Sequence, residues 1–209
     1  MDNISLYEDI KARTGGEIYL GVVGPVRTGK STFIRRFMDL CVIPSILDPN
    51  EKKRIIDELP QAGVGKTVMT TEPKFIPKTG IEIPLSNNVK AKFRLIDCVG
   101  YIVDSAQGVY EDDKERLVKT PWFDENIPFS KAAQTGTEKV IRDHSTIGIV
   151  MTTDGSIGEF TRDDYISAEE KAIMELKKIK KPFIVIVNST FPASDFTRKI
   201  ANEISEKYE

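Results

Sequence analysis

Apolar and polar positions along the chain follow two periods, and the switches between them mark its elements. Ile18-Tyr19-Leu20-Gly21-Val22-Val23 is a short unbroken apolar run of the buried parallel-strand type. A glycine-bearing turn follows, and then Phe33, Ile34, Phe37 and Met38 recur at helical spacing. The charged, Pro-flanked segment from Asp48 to Leu59 permits a helix, and the polar stretch Gln61 to Pro73, with Gly63 and Gly65, is expected to be a mobile loop. Two antiparallel strands are predicted near Lys74–Ile83 and Val89–Ile96, joined by a Pro-Leu-Ser-Asn-Asn turn.

Residues 101–126 show no clear period and predict a long, partly ordered connection. A helix is predicted around Phe129–Arg142, then the strand Thr146–Met151. Ser167 and Glu170 have the spacing of a capping box, which predicts a helix over Ala168–Lys178. Lys181-Pro182 then leads into the strand Phe183–Val187, and Phe196, Ile200 and Ile204 fall on one helical stripe of the tail. Strands alternating with helices predict an α/β fold: a mostly parallel sheet, helices on both faces, and one antiparallel strand pair. The chain closes on a helix with no final strand, so the expectation is one domain over 1–209 that lacks a last strand–helix unit.

Composition changes this picture little. Thirty basic against thirty-two acidic residues give a net charge of −2, which argues against a general nucleic-acid binder. Two cysteines, Cys41 and Cys98, suit a reducing compartment better than a disulfide framework. The polar start MDNISLYEDI is no signal peptide, and no apolar run is long enough to span a bilayer, so a cytoplasmic protein is expected.

The chemistry concentrates in the turn after the first strand. Gly24-Pro25-Val26-Arg27-Thr28-Gly29-Lys30-Ser31 matches G-x-x-x-x-G-K-[ST], with Thr32 next in line. Glycines let the backbone wrap a phosphate, so that amide hydrogens and a helix N-terminus point at it. Lys30 is then expected to neutralise the β- and γ-phosphates, and the Ser31 hydroxyl to ligate Mg2+. Phe93-Arg94-Leu95-Ile96-Asp97 is an apolar strand ending in a carboxylate that can supply a second Mg2+ ligand, and Gly100 can turn its amide toward a γ-phosphate. Between loop and strand, Thr70 or Thr71 is expected to sense that phosphate and bind the cation.

The order of glycine loop, switch threonine, antiparallel pair and Asp-x-x-Gly resembles the translation-factor-like GTPases of the P-loop fold. That class reads guanine with Asn-Lys-x-Asp, whereas here the stretch is Asn188-Ser189-Thr190-Phe191. Asn188 is retained as a nucleotide contact. The missing carboxylate removes the reason to prefer guanine, which leaves ATP as the expected nucleotide.

Over its whole length the chain is similar to the nucleotidase region of the stage IV sporulation protein A family. The carrying residues are Ile4, Tyr7 and Ile10, the glycine loop, Met69–Pro77, Asp97–Tyr101 and Thr152–Ile157. The resemblance implies an ATPase whose hydrolysis drives self-assembly into the basement layer of the spore coat, in the mother-cell cytoplasm at the forespore surface. It also implies further C-terminal domains, a small amphipathic membrane-bound anchor peptide and other coat proteins as partners.

Tyr101 stands where many GTPases carry a water-orienting Gln, so another group must complete catalysis. Arg27 is the candidate, since Arg-Thr-Gly-Lys-Ser is similar to the loop of guanylate-binding proteins, whose arginine acts as an internal finger. Lys30, Asp97 and Thr71 join it as expected catalytic residues. A regulatory GTPase switch and a nucleotide-binding structural protein without hydrolysis are the alternatives. His144, Cys98, the Lys177–Lys181 cluster and Trp122-Phe123 are expected to be structural.

Overall fold

In the computed structural model, β1 (Glu17–Val23) is the centre of a sheet, and its alternate residues serve two cores. Ile18, Leu20 and Val22 enter one, while Tyr19 and Val23 enter the other. The residues described are 16–60, 72–86, 89–103, 106, 109–111, 114–158 and 160–208. The predicted apolar run therefore forms a strand buried on both faces, as a central parallel strand must be.

α1 (Lys30–Phe37) follows the glycine loop and continues through a π turn over Met38–Val42. Ile34 and Met38 of the predicted stripe are fully buried, with Phe33 and Phe37 packed beside them. α2 (Pro49–Glu58) is started by Asp48, whose side chain accepts a hydrogen bond from Asn50 N–H at 2.9 Å. These elements cover one face.

β2 (Lys74–Ser86) and β3 (Val89–Asp97) form the antiparallel pair. β2 runs on through 84–86, which the sequence assigns to the turn, and Pro84 stays tolerable there because β2 is an edge strand. The connection after β3 is more ordered than its lack of period suggests. It holds β4 (Tyr110–Glu111) paired with β5 (Lys114–Glu115), and β6 (Leu117–Thr120) paired with β7 (Phe123–Pro128). Strands of two to six residues are too short to show a period.

On the other face lie α3 (Phe129–Lys139), α4 (Arg162–Lys178) and α5 (Asp195–Tyr208), interleaved with β8 (Ile147–Thr153) and β9 (Phe183–Asn188). α4 corrects the capping-box expectation. It begins six residues before Ala168, where Thr161 and Asp164 exchange the two capping hydrogen bonds, and Ser167 lies inside the helix. A bidentate ion pair from Arg162 to the buried Glu169 fastens this extra turn, with Thr152 of β8 also donating to Glu169. α5 keeps Ile200 and Ile204 of its predicted stripe and differs only at its first position. Thr197, Ile200 and Ile204 face inward, and Phe196 is exposed.

The five strands are ordered β2-β3-β1-β8-β9, all parallel except β2. Their carboxyl ends are in register: Val22 opposes Asp97, Val23 opposes Val150, and Thr153 opposes Asn188. In open α/β sheets that edge is where ligands sit. No helix among the described residues is long and apolar enough to cross a membrane.

Candidate functional site

The glycine loop spans the carboxyl edge of the sheet and is clamped from both sides. Toward β3, Val26 N–H donates to Tyr101 O at 2.9 Å and Tyr101 N–H to Gly24 O at 3.0 Å. Toward β9, the Asn188 side-chain amide donates to Thr28 O at 3.1 Å. Within the loop, the buried Thr28 hydroxyl donates to Pro25 O at 3.0 Å.

Glycine is demanded where these clamps close. At Gly29 (φ 87°) a Cβ would fall 2.5 Å from the Asn188 amide nitrogen. At Gly100 (φ 94°) it would lie 2.3 Å from Gly24 O and 2.6 Å from Lys30 Nζ. Both angles are left-handed, so a side chain is excluded by conformation as well as by space.

α1 begins at Gly29 with no side-chain cap and no acidic residue in its first turn. Its leading amide hydrogens and its positive dipole end therefore suit an anion. Lys30 is 5% exposed, and its ammonium donates to Pro25 O. Burial pulls its pKa down, against the raising influence of Cys98 and Asp97. Ser31 Oγ donates to Asp97 Oδ2 at 2.7 Å, and Asp97 Oδ1 is buried without a partner among the described residues. Burial pushes the Asp97 carboxyl up, and its Ser31 hydrogen bond and Lys30 only partly oppose this. A lysine and an aspartate both pushed toward neutrality lack countercharges that a phosphate and a cation would supply.

Mg2+ fits these groups. The orphaned Asp97 oxygen and the Ser31 hydroxyl are hard oxygen donors side by side, and Mg2+ takes its remaining ligands from phosphates and water. No group of three His, Cys, Asp or Glu side chains among the described residues would hold a metal unaided.

Arg27 occupies the loop at φ 64°, half-buried, with Nη2 lacking a partner among the described residues. It lies close enough to Tyr165 of α4 to act on that phenol electrostatically. Thr32 is exposed on the first turn of α1. Thr70 and Thr71, with Met69, lie outside the described residues, as do Ile4, Tyr7 and Ile10. Tyr101 is buried, its ring under the Lys171 ammonium at 4.8 Å, and its hydroxyl has no partner among the described residues.

Of the features expected to be structural, Cys98 donates its thiol to Val22 O at 3.4 Å, and burial pushes that thiol up to about 11. Such a thiol is inert near neutral pH. His144 packs edge-on against Phe75, and Lys181 donates to the carbonyl groups of Ile141 and Arg142. Lys139 lies over the Trp122 ring.

Sequence reasoning missed the polar network behind the β9 flank. Asp154 is 4% exposed and accepts from Ser156 N–H at 2.9 Å, Ser156 Oγ at 2.6 Å and Thr197 Oγ1 at 2.6 Å. Burial works against its ionisation, but hydrogen bonds from Ser156, Ser189 and Thr197 outweigh it and hold the carboxyl well below the usual range. The only signal available was a threonine set at helical spacing from Ile200 and Ile204.

A parallel α/β sheet whose carboxyl edge carries an anion-ready loop and a buried lysine fits a nucleotide-binding domain. Residues 1–209 match the family model described as Stage IV sporulation protein A, ATPase domain, and the chain belongs to that family. It is 56% identical over 207 residues to Stage IV sporulation protein A of Clostridioides difficile (strain 630), covering 99% of this chain and 42% of that protein. It is 51% identical over 209 residues to the protein of that name from Bacillus subtilis (strain 168), covering 100% of this chain and 42% of that protein. The chain thus spans about two fifths of the length of these relatives. The family takes its description from ATP hydrolysis in sporulation.

Proposed function

We propose that this chain is a P-loop nucleotidase of GTPase-like topology that hydrolyses ATP with Mg2+. The observation that carries the reading is the 2.7 Å hydrogen bond from Ser31 to Asp97, beside the buried Lys30. Gly24, Pro25, Val26, Thr28, Gly29 and Thr32 form the cradle for the phosphates, Lys30 neutralises their charge, and Asn188 holds the cradle in shape. Ser31, Asp97 and Thr71 (or Thr70) would hold Mg2+, which would supply charge neutralisation of the phosphate oxygens. Gly100 turns its amide to the γ-phosphate. Arg27, whose Nη2 lacks a partner among the described residues, stabilises the charge that spreads over the γ-phosphoryl oxygens.

ATP is the substrate. Asp154, whose backbone N–H donates to Asn188 O, is buried and engaged by Ser156 and Thr197, so it is not available to replace the missing guanine reader. We further propose that the nucleotide cycle drives self-assembly of a spore-coat basement scaffold. On this proposal the scaffold forms in the mother-cell cytoplasm, with an amphipathic membrane-bound anchor peptide and other coat proteins as partners.

A reading without hydrolysis draws on the buried Tyr101, which offers no water-orienting amide. Phosphate release from ATP and from GTP, each with and without Mg2+, separates the readings. Mg2+-dependent release from ATP, at a rate equal to or above that from GTP, is expected. No release from either nucleotide would leave a binding protein, and release from GTP alone would make it a GTPase switch.

A further inference from the structure

The two flanks of the glycine loop differ in a way that orients a nucleotide. Lys30, Ser31, Asp97 and Gly100 gather on the β3 flank. Charge-dense terminal phosphates and their cation belong there. On the β9 flank, the residues after the strand are Asn188, Ser189, Thr190 and Phe191. None of these carries a charge, so this side suits the nucleoside end of the molecule better than its phosphates.

Phe191 is 69% exposed there, yet its backbone is pinned at both ends. Its N–H donates to Ser189 Oγ at 2.9 Å, and its carbonyl accepts from Ser194 N–H at 3.0 Å. The preceding residue is held as firmly: Thr190 N–H donates to Ser156 Oγ at 2.8 Å, and Thr190 Oγ1 to Ser156 O at 3.0 Å. Ser156 is itself anchored on Asp154. A large, exposed aromatic ring on fixed backbone, three residues after the Asn188 that reaches the loop, is preorganised for a planar partner. One N–H of the Asn188 amide is committed to Thr28 O, which ties this flank to the loop.

We propose that Phe191 is the base platform of this site: the purine ring stacks on its face, and stacking supplies the main hold on the base. This rests on the nucleotide reading given above and supplies its substrate contact. Stacking tolerates every base because each has a π face. Adenine and guanine nucleotides therefore lose affinity together when the platform is removed.

The test titrates the intact protein, its Phe191→Ala variant and its Phe191→Trp variant with Mg2+-ATP, Mg2+-GTP and Mg2+-tripolyphosphate. Phe191→Ala is expected to weaken ATP and GTP alike by about 5- to 150-fold, the range of base–aromatic stacking, with tripolyphosphate changed by less than about twofold. Phe191→Trp should keep ATP affinity within about threefold of the parent, since stacking area is retained. Unchanged ATP affinity in Phe191→Ala with tripolyphosphate binding intact overturns the platform and leaves the phosphate site standing. Equal loss of all three ligands in Phe191→Ala overturns it too, since it makes Phe191 a prop for the loop. Failure of the parent to bind ATP or tripolyphosphate overturns the nucleotide reading along with the platform.

Discussion

The β3 and β9 flanks of the glycine loop are built from opposite electrostatic logic. On the β3 flank, burial drives Lys30 down and Asp97 up, and Asp97 Oδ1 has no partner among the described residues. On the β9 flank, the buried carboxylate of Asp154 is engaged by Ser156 and Thr197 and held firmly ionised. A site that is unsatisfied in the free protein is one that gains by binding, whereas a satisfied network holds shape. Chemistry is therefore assigned to the first flank and positioning to the second.

Changes on the β3 side should strike turnover hardest. Arg27→Ala is expected to lower kcat by roughly 10³–10⁵ while leaving ATP affinity nearly intact, the signature of a charge that acts in the transition state. Arg27→Lys should recover only part, because a point charge lacks the planar fork. Single-turnover hydrolysis decides this, and a rate within about threefold of the parent returns Arg27 to a structural role. Asp97→Ala is expected to cost about 10²–10³ in kcat, on the scale of losing one group that stabilises developing charge, with a smaller effect on nucleotide affinity. The same split between turnover and binding is expected for Thr71→Ala, with Thr70→Ala as the control for which threonine acts. Parental rates in all three variants would remove the β3 flank from catalysis.

Changes on the β9 side should register as stability. Asp154→Ala removes a charged acceptor from Ser156 and Thr197 and is expected to cost roughly 2–3 kcal/mol, measurable by urea denaturation. Because the folded pKa lies below the unfolded value of about 3.9, this contribution is whole above about pH 4. It is lost as pH falls through that range, so parent and variant should converge in stability in acid. A gap that persists undiminished at low pH contradicts the ionised network. The smallest effect is expected for Asn188→Ala, which loses one neutral hydrogen bond to Thr28 O. About 1 kcal/mol, or roughly fivefold in ATP affinity, is the scale.

The same contrast governs what could be seen without coordinates. The β3 flank was legible because its signals are local: an apolar run, glycines at fixed spacing, and an aspartate ending a strand. The β9 network was not, since Asp154, Ser156, Ser189 and Thr197 meet only through tertiary structure. Thr197 replaces Phe196 on the buried face of α5 because Asp154 satisfies its hydroxyl there. The start of α4 failed for a related reason. Thr161 and Asp164 cap it as well as Ser167 and Glu170 would, and the choice between them is made by Arg162 reaching the buried Glu169. The β4–β7 hairpins were invisible because two to six residues carry no period.

The central claim is that the buried charge of Lys30 exists for a triphosphate, and ATP binding by Lys30→Ala tests it most directly. A buried ammonium whose one hydrogen bond among the described residues is to a carbonyl contributes little to folding, so the variant should unfold at the parent temperature or above. Calorimetric titration of that folded variant should show no ATP binding where the parent binds. Parental ATP affinity in a folded Lys30→Ala protein would contradict the account.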